Sequence, residues 1–281
     1  MKKSIKILVS IMLVAATLFS LSTVAFAANN YTFKDVSKNE WYYQSVWYCA
    51  HGYVTGYGGA KTGYFGPTDL VQRQDFAVMM LRFGHWGTKT TSQQNADPVL
   101  GKPNYKTSLD SYNVNYCTAK ERNSLDTYIK NNGTYNDVAK GSYYYYSVYG
   151  LKKANIMTGY SSGNFGVGDP ITREQAATII YRYEGSPYMS KSAVNKVLSR
   201  YLDGYTTSEW ARTAIAWCIE NHIIKGKTKM WKDIGEVAYR IAPTDYITRA
   251  EVTTILMRVD GDSDLHSGYY LPDNKFTFAV G

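Results

Sequence analysis

One pattern recurs three times along this chain, and any fold must accommodate all three copies. The first runs from Phe33-Lys34-Asp35-Val36 through Trp41, Ser45-Val46, Thr55-Gly56 and Phe65 to Gln72-Arg73-Gln74-Asp75. The second carries Tyr135-Asn136-Asp137-Val138, Tyr143, Ser147-Val148, Thr158-Gly159, Phe165 and Thr172-Arg173-Glu174-Gln175. In the third the matching landmarks are Asp203, Trp210, Ala214-Ile215, Lys225-Gly226, Pro243 and Thr248-Arg249-Ala250-Glu251. A unit of this length cannot bury an apolar face by itself, so the copies must pack on one another.

After each arginine the apolar residues return at helical spacing: Phe76, Met79, Met80 and Phe83; Ala176, Ile179, Ile180 and Tyr183; Val252, Ile255, Leu256 and Val259. Spacing of i, i+3, i+4, i+7 places each set on one stripe of an amphipathic helix. Thr172 with Gln175, and Thr248 with Glu251, have the spacing of a capping box, while Gly84, Gly185 and Gly261 stand where the helices should stop. An earlier helix in each copy, containing Val46, Val148 or Ile215, is expected to end at Gly52, Asn155 or His222, residue types that readily take a left-handed conformation. His222 therefore reads as a helix terminator and not as a catalytic base. Val194, Val197, Leu198, Tyr201 and Leu202 mark a helix linking copies two and three, and Thr118 to Asn131 its counterpart before copy two. The polar stretch 84–117 reads as a long surface insertion.

Lys2, Lys3 and Lys6 precede an apolar run from Ile7 to Phe19 and the small-residue sequence Ala25-Phe26-Ala27, the layout of a secretory leader. The expected mature chain begins near Ala28 and has no membrane span. Losing the leader, with its three lysines and no acids, lowers the formal charge from +8 to +5. That balance favours an acidic partner such as an anionic polysaccharide, and export argues against nucleic acid. Cys49, Cys117 and Cys218 form an odd set, so no disulfide framework is expected; Cys49 and Cys218 sit where copy two has Leu151 and read as small buried hydrophobes, with a single bridge as the alternative.

These residues resemble the S-layer homology family, whose repeat reads approximately F-x-D-V, W, A-I, G-I-I-x-G, F-x-P and I-T-R-A-E. Copy three is the nearest match, with Asn221-His222-Ile223-Ile224-Lys225-Gly226 and Ile247-Thr248-Arg249-Ala250-Glu251. The resemblance implies a mainly α fold in which three helical repeats close into a pseudo-threefold bundle with grooves between them. The expected layout is a leader (1–27), repeat one (28–84), an insertion with linking helix (85–132), repeat two (133–186), a linking helix (187–202), repeat three (203–261) and a tail (262–281). It further implies a bacterial cell-wall or cell-surface anchor that is peptidoglycan-associated, uses no cofactor and binds a secondary cell-wall polysaccharide whose terminal sugar carries a pyruvate ketal, hence a carboxylate.

Arg73, Arg173 and Arg249 are the foremost candidates for holding that carboxylate. Each occupies a first helical position, where the helix dipole disfavours a cation by roughly 0.3–1 kcal/mol. Unpaired backbone N–H groups and a guanidinium fork converging on one carboxylate would explain the choice. The competing role is a local ion pair with Asp69, Asp169 or Asp245, four residues earlier. Trp41, Tyr143 and Trp210 offer an aromatic face for a sugar, but core filling is the first expectation. Gly56, Gly159 and Gly226 either let a glycan approach the backbone or serve a plain turn. Asp35, Asp137 and Asp203 complete the candidate ligand-binding set, and 27 tyrosines suit a carbohydrate-binding surface.

Two other readings stay open at this level. The repeats could dock another surface protein or self-assemble without glycan binding. A cell-wall glycan hydrolase is the lesser alternative: no nucleophile elbow, phosphate loop or H-E-x-x-H is present, although a glycosidase carboxylate pair leaves no sequence signature. Copy one has Gln72 at the capping position, copy two has Tyr143 for Trp, and copy three inserts Lys227, Lys229, Trp231 and Lys232, so the three grooves are expected to be unequal.

Overall fold

The computed structural model describes residues 33–50, 54–86, 119–231 and 236–260. The leader, most of the 84–117 insertion, His51, Gly52, Cys117, Lys232, Gly261 and the tail lie outside them. Among the described residues the protein is mainly α-helical, with eight helices and one hairpin. Copy one contributes α1 (Tyr43–Ala50) and α2 (Arg73–Trp86). Helix α3 (Ala119–Asn132) leads into copy two, which supplies α4 (Tyr145–Lys153) and α5 (Arg173–Tyr183). Helix α6 (Lys191–Leu198) leads into copy three, with α7 (Arg212–Glu220), the strands β1 (Lys227–Trp231) and β2 (Glu236–Arg240), and α8 (Arg249–Asp260).

Local chemistry sets most boundaries. Thr172 accepts from the Gln175 amide while the Gln175 side chain accepts from the Thr172 amide, a complete capping box at α5. Thr248 and Glu251 do the same at α8, with bonds of 2.9 and 3.3 Å. Asn155 and His222 take φ of 56° and 58° just past α4 and α7, so each ends its helix as the residue type suggests. Gly185 stops α5 with φ 83°, but α2 runs through Gly84 to Trp86. There the helical hydrogen bonds outweigh the modest cost of an internal glycine. Leu202, expected on the linking helix, lies beyond its end and is half exposed.

The predicted stripes form the core. Phe76, Met79, Met80, Phe83, Ala176, Ile179, Ile180, Val252, Ile255 and Leu256 are buried, and Tyr183 and Val259 pack at its edge. Cys49 and Cys218 are also buried and unbridged, their thiols directed at the carbonyls of Thr253 (3.3 Å) and Ala177 (3.7 Å). Burial pushes the Cys218 thiol well above its ordinary value, so it stays neutral.

The long helix of each copy packs on the short helix of another: α2 on α4, α5 on α7, and α8 back on α1. Linking helices α3 and α6 lie against α4 and α7. Between the copies, the Val71 amide donates to Ile247, Ile247 to Ile171, and Ile171 to Val71, at 2.9–3.0 Å, so three hydrogen bonds close a ring. A second ring runs the opposite way round: Arg73 N–H to Asp169, Arg173 N–H to Asp245 and Arg249 N–H to Asp69. The first amides of α2, α5 and α8, which no helix satisfies internally, thus find carbonyls in a neighbouring copy.

Candidate functional site

The three arginine side chains follow their amides across the same boundaries. Arg73 donates through Nε to the Phe165 carbonyl and through Nη2 to Thr158, each at 3.0 Å. Arg173 makes the equivalent bonds to Ile241 and Lys225 (3.0 Å each), and Arg249 to Phe65 (2.8 Å) and Thr55 (2.7 Å). Their relative exposures are only 4%, 4% and 8%. Burial pulls each guanidinium pKa below its ordinary value, while neighbouring tyrosines or carboxylates oppose the shift. Two details expected of the arginines, open first-turn amides and a local ion pair with the aspartate four residues earlier, differ from this geometry. Asp69, Asp169 and Asp245 act through their backbone carbonyls on the arginine of another copy, and the Arg amides are already paired instead of open to a ligand.

Asp35, Asp137 and Asp203 shape the loops that receive those guanidiniums. Asp35 accepts from the amides of Phe65 (2.8 Å) and Gly66 (2.7 Å). Asp137 accepts from Phe165, Gly166 and Val167 (2.7–2.8 Å), and Asp203 from Ile241 (2.6 Å) and Ala242 (2.8 Å). Phe65, Phe165 and Ile241 therefore give their N–H to an aspartate and their C=O to an arginine. The aspartates hold the loop; the arginines pin it to the next copy.

The glycines meet a similar constraint. A Cβ on Gly159 would stand 2.4 Å from the Asn164 carbonyl and from the Tyr135 ring. On Gly56 it would meet Phe33 at 2.3 Å, and on Gly226 Tyr201 at 2.7 Å. Close packing inside each copy accounts for all three without a ligand.

The core-filling expectation for Trp41, Tyr143 and Trp210 does not hold, since they are 39%, 46% and 57% exposed. Their positions at the outer start of the short helices leave the interior to Tyr145, Val148 and Ile215 instead.

At one boundary these parts converge. A groove of about 290 Å³ brings together Arg249 from copy three, Gly56, Tyr57, Asp75 and Arg82 from copy one, and Tyr143 from copy two. Arg249 lies over the Tyr57 ring, 4.6 Å from its centroid, and the Tyr57 hydroxyl donates to Asp69 at 2.7 Å. Burial and that bond push Tyr57 up to about 12. The Tyr143 hydroxyl donates to Asp75. At the second boundary Arg73 lies 4.7 Å from the Tyr160 ring centroid. At the third Lys227 takes the tyrosine's place and pairs with Asp245 (3.4 Å) and Glu251 (3.2 Å).

Tyr57 and Tyr160 were not singled out by sequence, and Lys227 only as part of the insertion in copy three, although each directly follows a candidate glycine and so is itself a repeated position. Arg73 and Arg249 have no further hydrogen-bond partner for Nη1 among the described residues, whereas Arg173 Nη1 donates to Glu251 at 3.1 Å. The inserted segment of copy three forms the antiparallel pair β1–β2, which brings Lys227 to the third boundary. No group of side chains suited to a metal ion occurs among the described residues, and none of their helices is long and apolar enough to cross a membrane.

Residues 134–177 and 200–253 match the S-layer homology domain family. No curated protein matches the chain. The matched segments include Asp137, Tyr143, Gly159 and Arg173 in copy two and Asp203, Trp210, Gly226 and Arg249 in copy three. Copy one falls outside the match, yet its Asp35 loop and Arg73 reproduce the same hydrogen bonds. S-layer homology domains are non-catalytic and associate with bacterial cell surfaces by binding cell-wall polymers. The chain thus carries two segments that match the S-layer homology domain, a domain that serves in cell-surface anchoring.

Proposed function

We propose that this protein is a secreted, non-enzymatic wall anchor that binds an anionic cell-wall polysaccharide, bearing a carboxylate such as a pyruvate ketal, in the grooves between its repeats. The observation that carries the reading is the groove at Arg249. A desolvated guanidinium, held by two carbonyls and a tyrosine ring, keeps Nη1 without a partner among the described residues, in a groove that the half-exposed Tyr143 also lines. A carboxylate meeting that nitrogen makes a charge-assisted bond where water competes poorly, and the sugar ring has an aromatic surface beside it. The Arg73 boundary repeats the pattern with Tyr160. Trp41 and Trp210 hold the positions equivalent to Tyr143.

In this reading Asp35, Asp137 and Asp203 and the three glycines act indirectly, by fixing the loop that the arginine grips. The leader at residues 1–27 supplies export. The decisive experiment is co-sedimentation of the purified chain with cell-wall fragments before and after chemical removal of the polymer. Retention that depends on the polymer is expected; equal retention on stripped peptidoglycan would overturn glycan binding in favour of a peptidoglycan or protein partner.

A further inference from the structure

The three boundaries share the arginine's two carbonyl partners but differ in the residue after the glycine, Tyr57, Tyr160 or Lys227, and at the third residue of each long helix, which is Asp75 in α2, Gln175 in α5 and Glu251 in α8. Asp75 stands at the Arg249 groove, where its shorter side chain makes no hydrogen bond to the arginine and accepts from Tyr143 instead. Gln175 occupies the matching place at the Arg73 boundary and carries no charge; its carbonyl oxygen accepts from Thr172. Glu251 serves the same cap through Oε2 and turns Oε1 onto Arg173 Nη1, with Lys227 3.2 Å from that oxygen.

We propose that Glu251 is a built-in occupant of the third groove, its carboxylate filling the place an acidic sugar would take, so that this protein binds its polymer through the Arg73 and Arg249 grooves alone. The inference rests on the glycan-binding reading above and adds which grooves work and which residue decides it. Arg173 uses all three guanidinium nitrogens within the protein. An incoming carboxylate would have to displace one that is tethered and already desolvated, at 14% side-chain exposure. A tethered competitor acts at high effective concentration and excludes a weak monovalent ligand. The Arg73 groove, with neutral Gln175, is the strongest of the three. The Arg249 groove is weaker, because Asp75 repels an anion nearby.

The test exchanges the two residues. Gln and Glu each already close a capping box here, so Glu251→Gln and Gln175→Glu keep their helix starts. Calorimetric titration with a methyl hexoside carrying a 4,6-O-pyruvate ketal should give two sites per wild-type chain, three for Glu251→Gln and one for Gln175→Glu. The ¹⁵N signals of the Arg173 guanidinium should respond to the probe only in Glu251→Gln, and thermal melts report folding. Two sites in both wild type and Glu251→Gln, or an Arg173 response in wild type, would overturn the gate while leaving the anchoring function standing. No uptake by either folded protein would overturn the functional reading and the gate together.

Discussion

The hydroxyl of Ser45 lies 2.9 Å from that of Thr254, 209 positions further along the chain. Ser45 also meets the Thr253 hydroxyl at 3.1 Å and donates to the Tyr42 carbonyl, all in a buried seam between α1 and α8. This is where the last copy closes on the first. Ser45→Val removes the bridge but leaves both threonines bonded to Ala250. The expected cost is about 1–2 kcal/mol, read as a drop of several degrees in melting temperature. Amide exchange should accelerate in α1 and α8 together; acceleration in α1 alone would show that the seam does not couple them.

The arginines should prove costly to remove. From sequence, Arg173→Ala or Arg249→Ala looks neutral for folding, since a cation at a helix start is unfavourable. The structure reverses that expectation, because each guanidinium satisfies two carbonyls of a neighbouring copy. Arg73→Ala and Arg249→Ala should each cost about 2–4 kcal/mol, and Arg173→Ala about 3–5 kcal/mol, as it also takes the arginine from the largely buried Glu251 and leaves that carboxylate only Lys227 as an ion-pair partner. Lysine should recover little, lacking the fork that spans two acceptors. Denaturant melts of the three alanine variants give the answer, and unchanged midpoints would contradict the pinning role.

Asp137 should make stability fall in acid. Burial raises its carboxyl pKa, but the amides of Phe165, Val167 and Gly166 outweigh it and bring the net value below the ordinary one. A carboxylate depressed in the folded state stabilises fully above its unfolded pKa, and that contribution is lost as pH falls through the folded value. Asp137→Asn should therefore cost about 1–3 kcal/mol at pH 7, where it forfeits at least one of these bonds. The gap between variant and wild type should narrow below about pH 4. Melts at pH 7, 4 and 3 measure it; a gap constant with pH would mean that the carboxylate form is not what the loop requires.

Trp210 separates binding from folding, since it is more than half exposed. Trp210→Ala should move stability by less than about 0.5 kcal/mol. If its ring carries a sugar, affinity for the pyruvylated probe should fall by about two- to tenfold at the Arg73 groove, where Trp210 is the repeat equivalent of Tyr143 at the Arg249 groove. A loss of stability with unchanged affinity would return this residue to a packing role.

Much of the fold could be read from residues whose partners are near in sequence. The stripes at Phe76, Ala176 and Val252, the caps at Thr172 and Thr248, and the stops at Asn155 and His222 all express local geometry, and each formed as the pattern indicates. The candidate site was only half legible. Arg73, Arg173 and Arg249 stood out correctly as unusual, but their partners are carbonyls of another copy, and backbone acceptors leave no trace in residue identity. The aromatic trio was placed in the core because size alone suggests burial; exposure followed from where α1, α4 and the turn before α7 sit. Glu251 was visible as a capping residue, and nothing in its sequence context showed that its second oxygen would meet Arg173.

The ring of amides through Val71, Ile171 and Ile247 has a further consequence for how such proteins can change. In an open stack of repeats each unit touches only its neighbours, so units can be gained or lost and the ends simply need covering. Here the third copy hands its bonds back to the first, and the architecture counts. A duplication that added one more copy would find no vacant edge to join, and a deletion would leave two edges bare. The boundaries can still differ from one another, as Asp75, Gln175 and Glu251 do, while closure of the ring fixes their number at three.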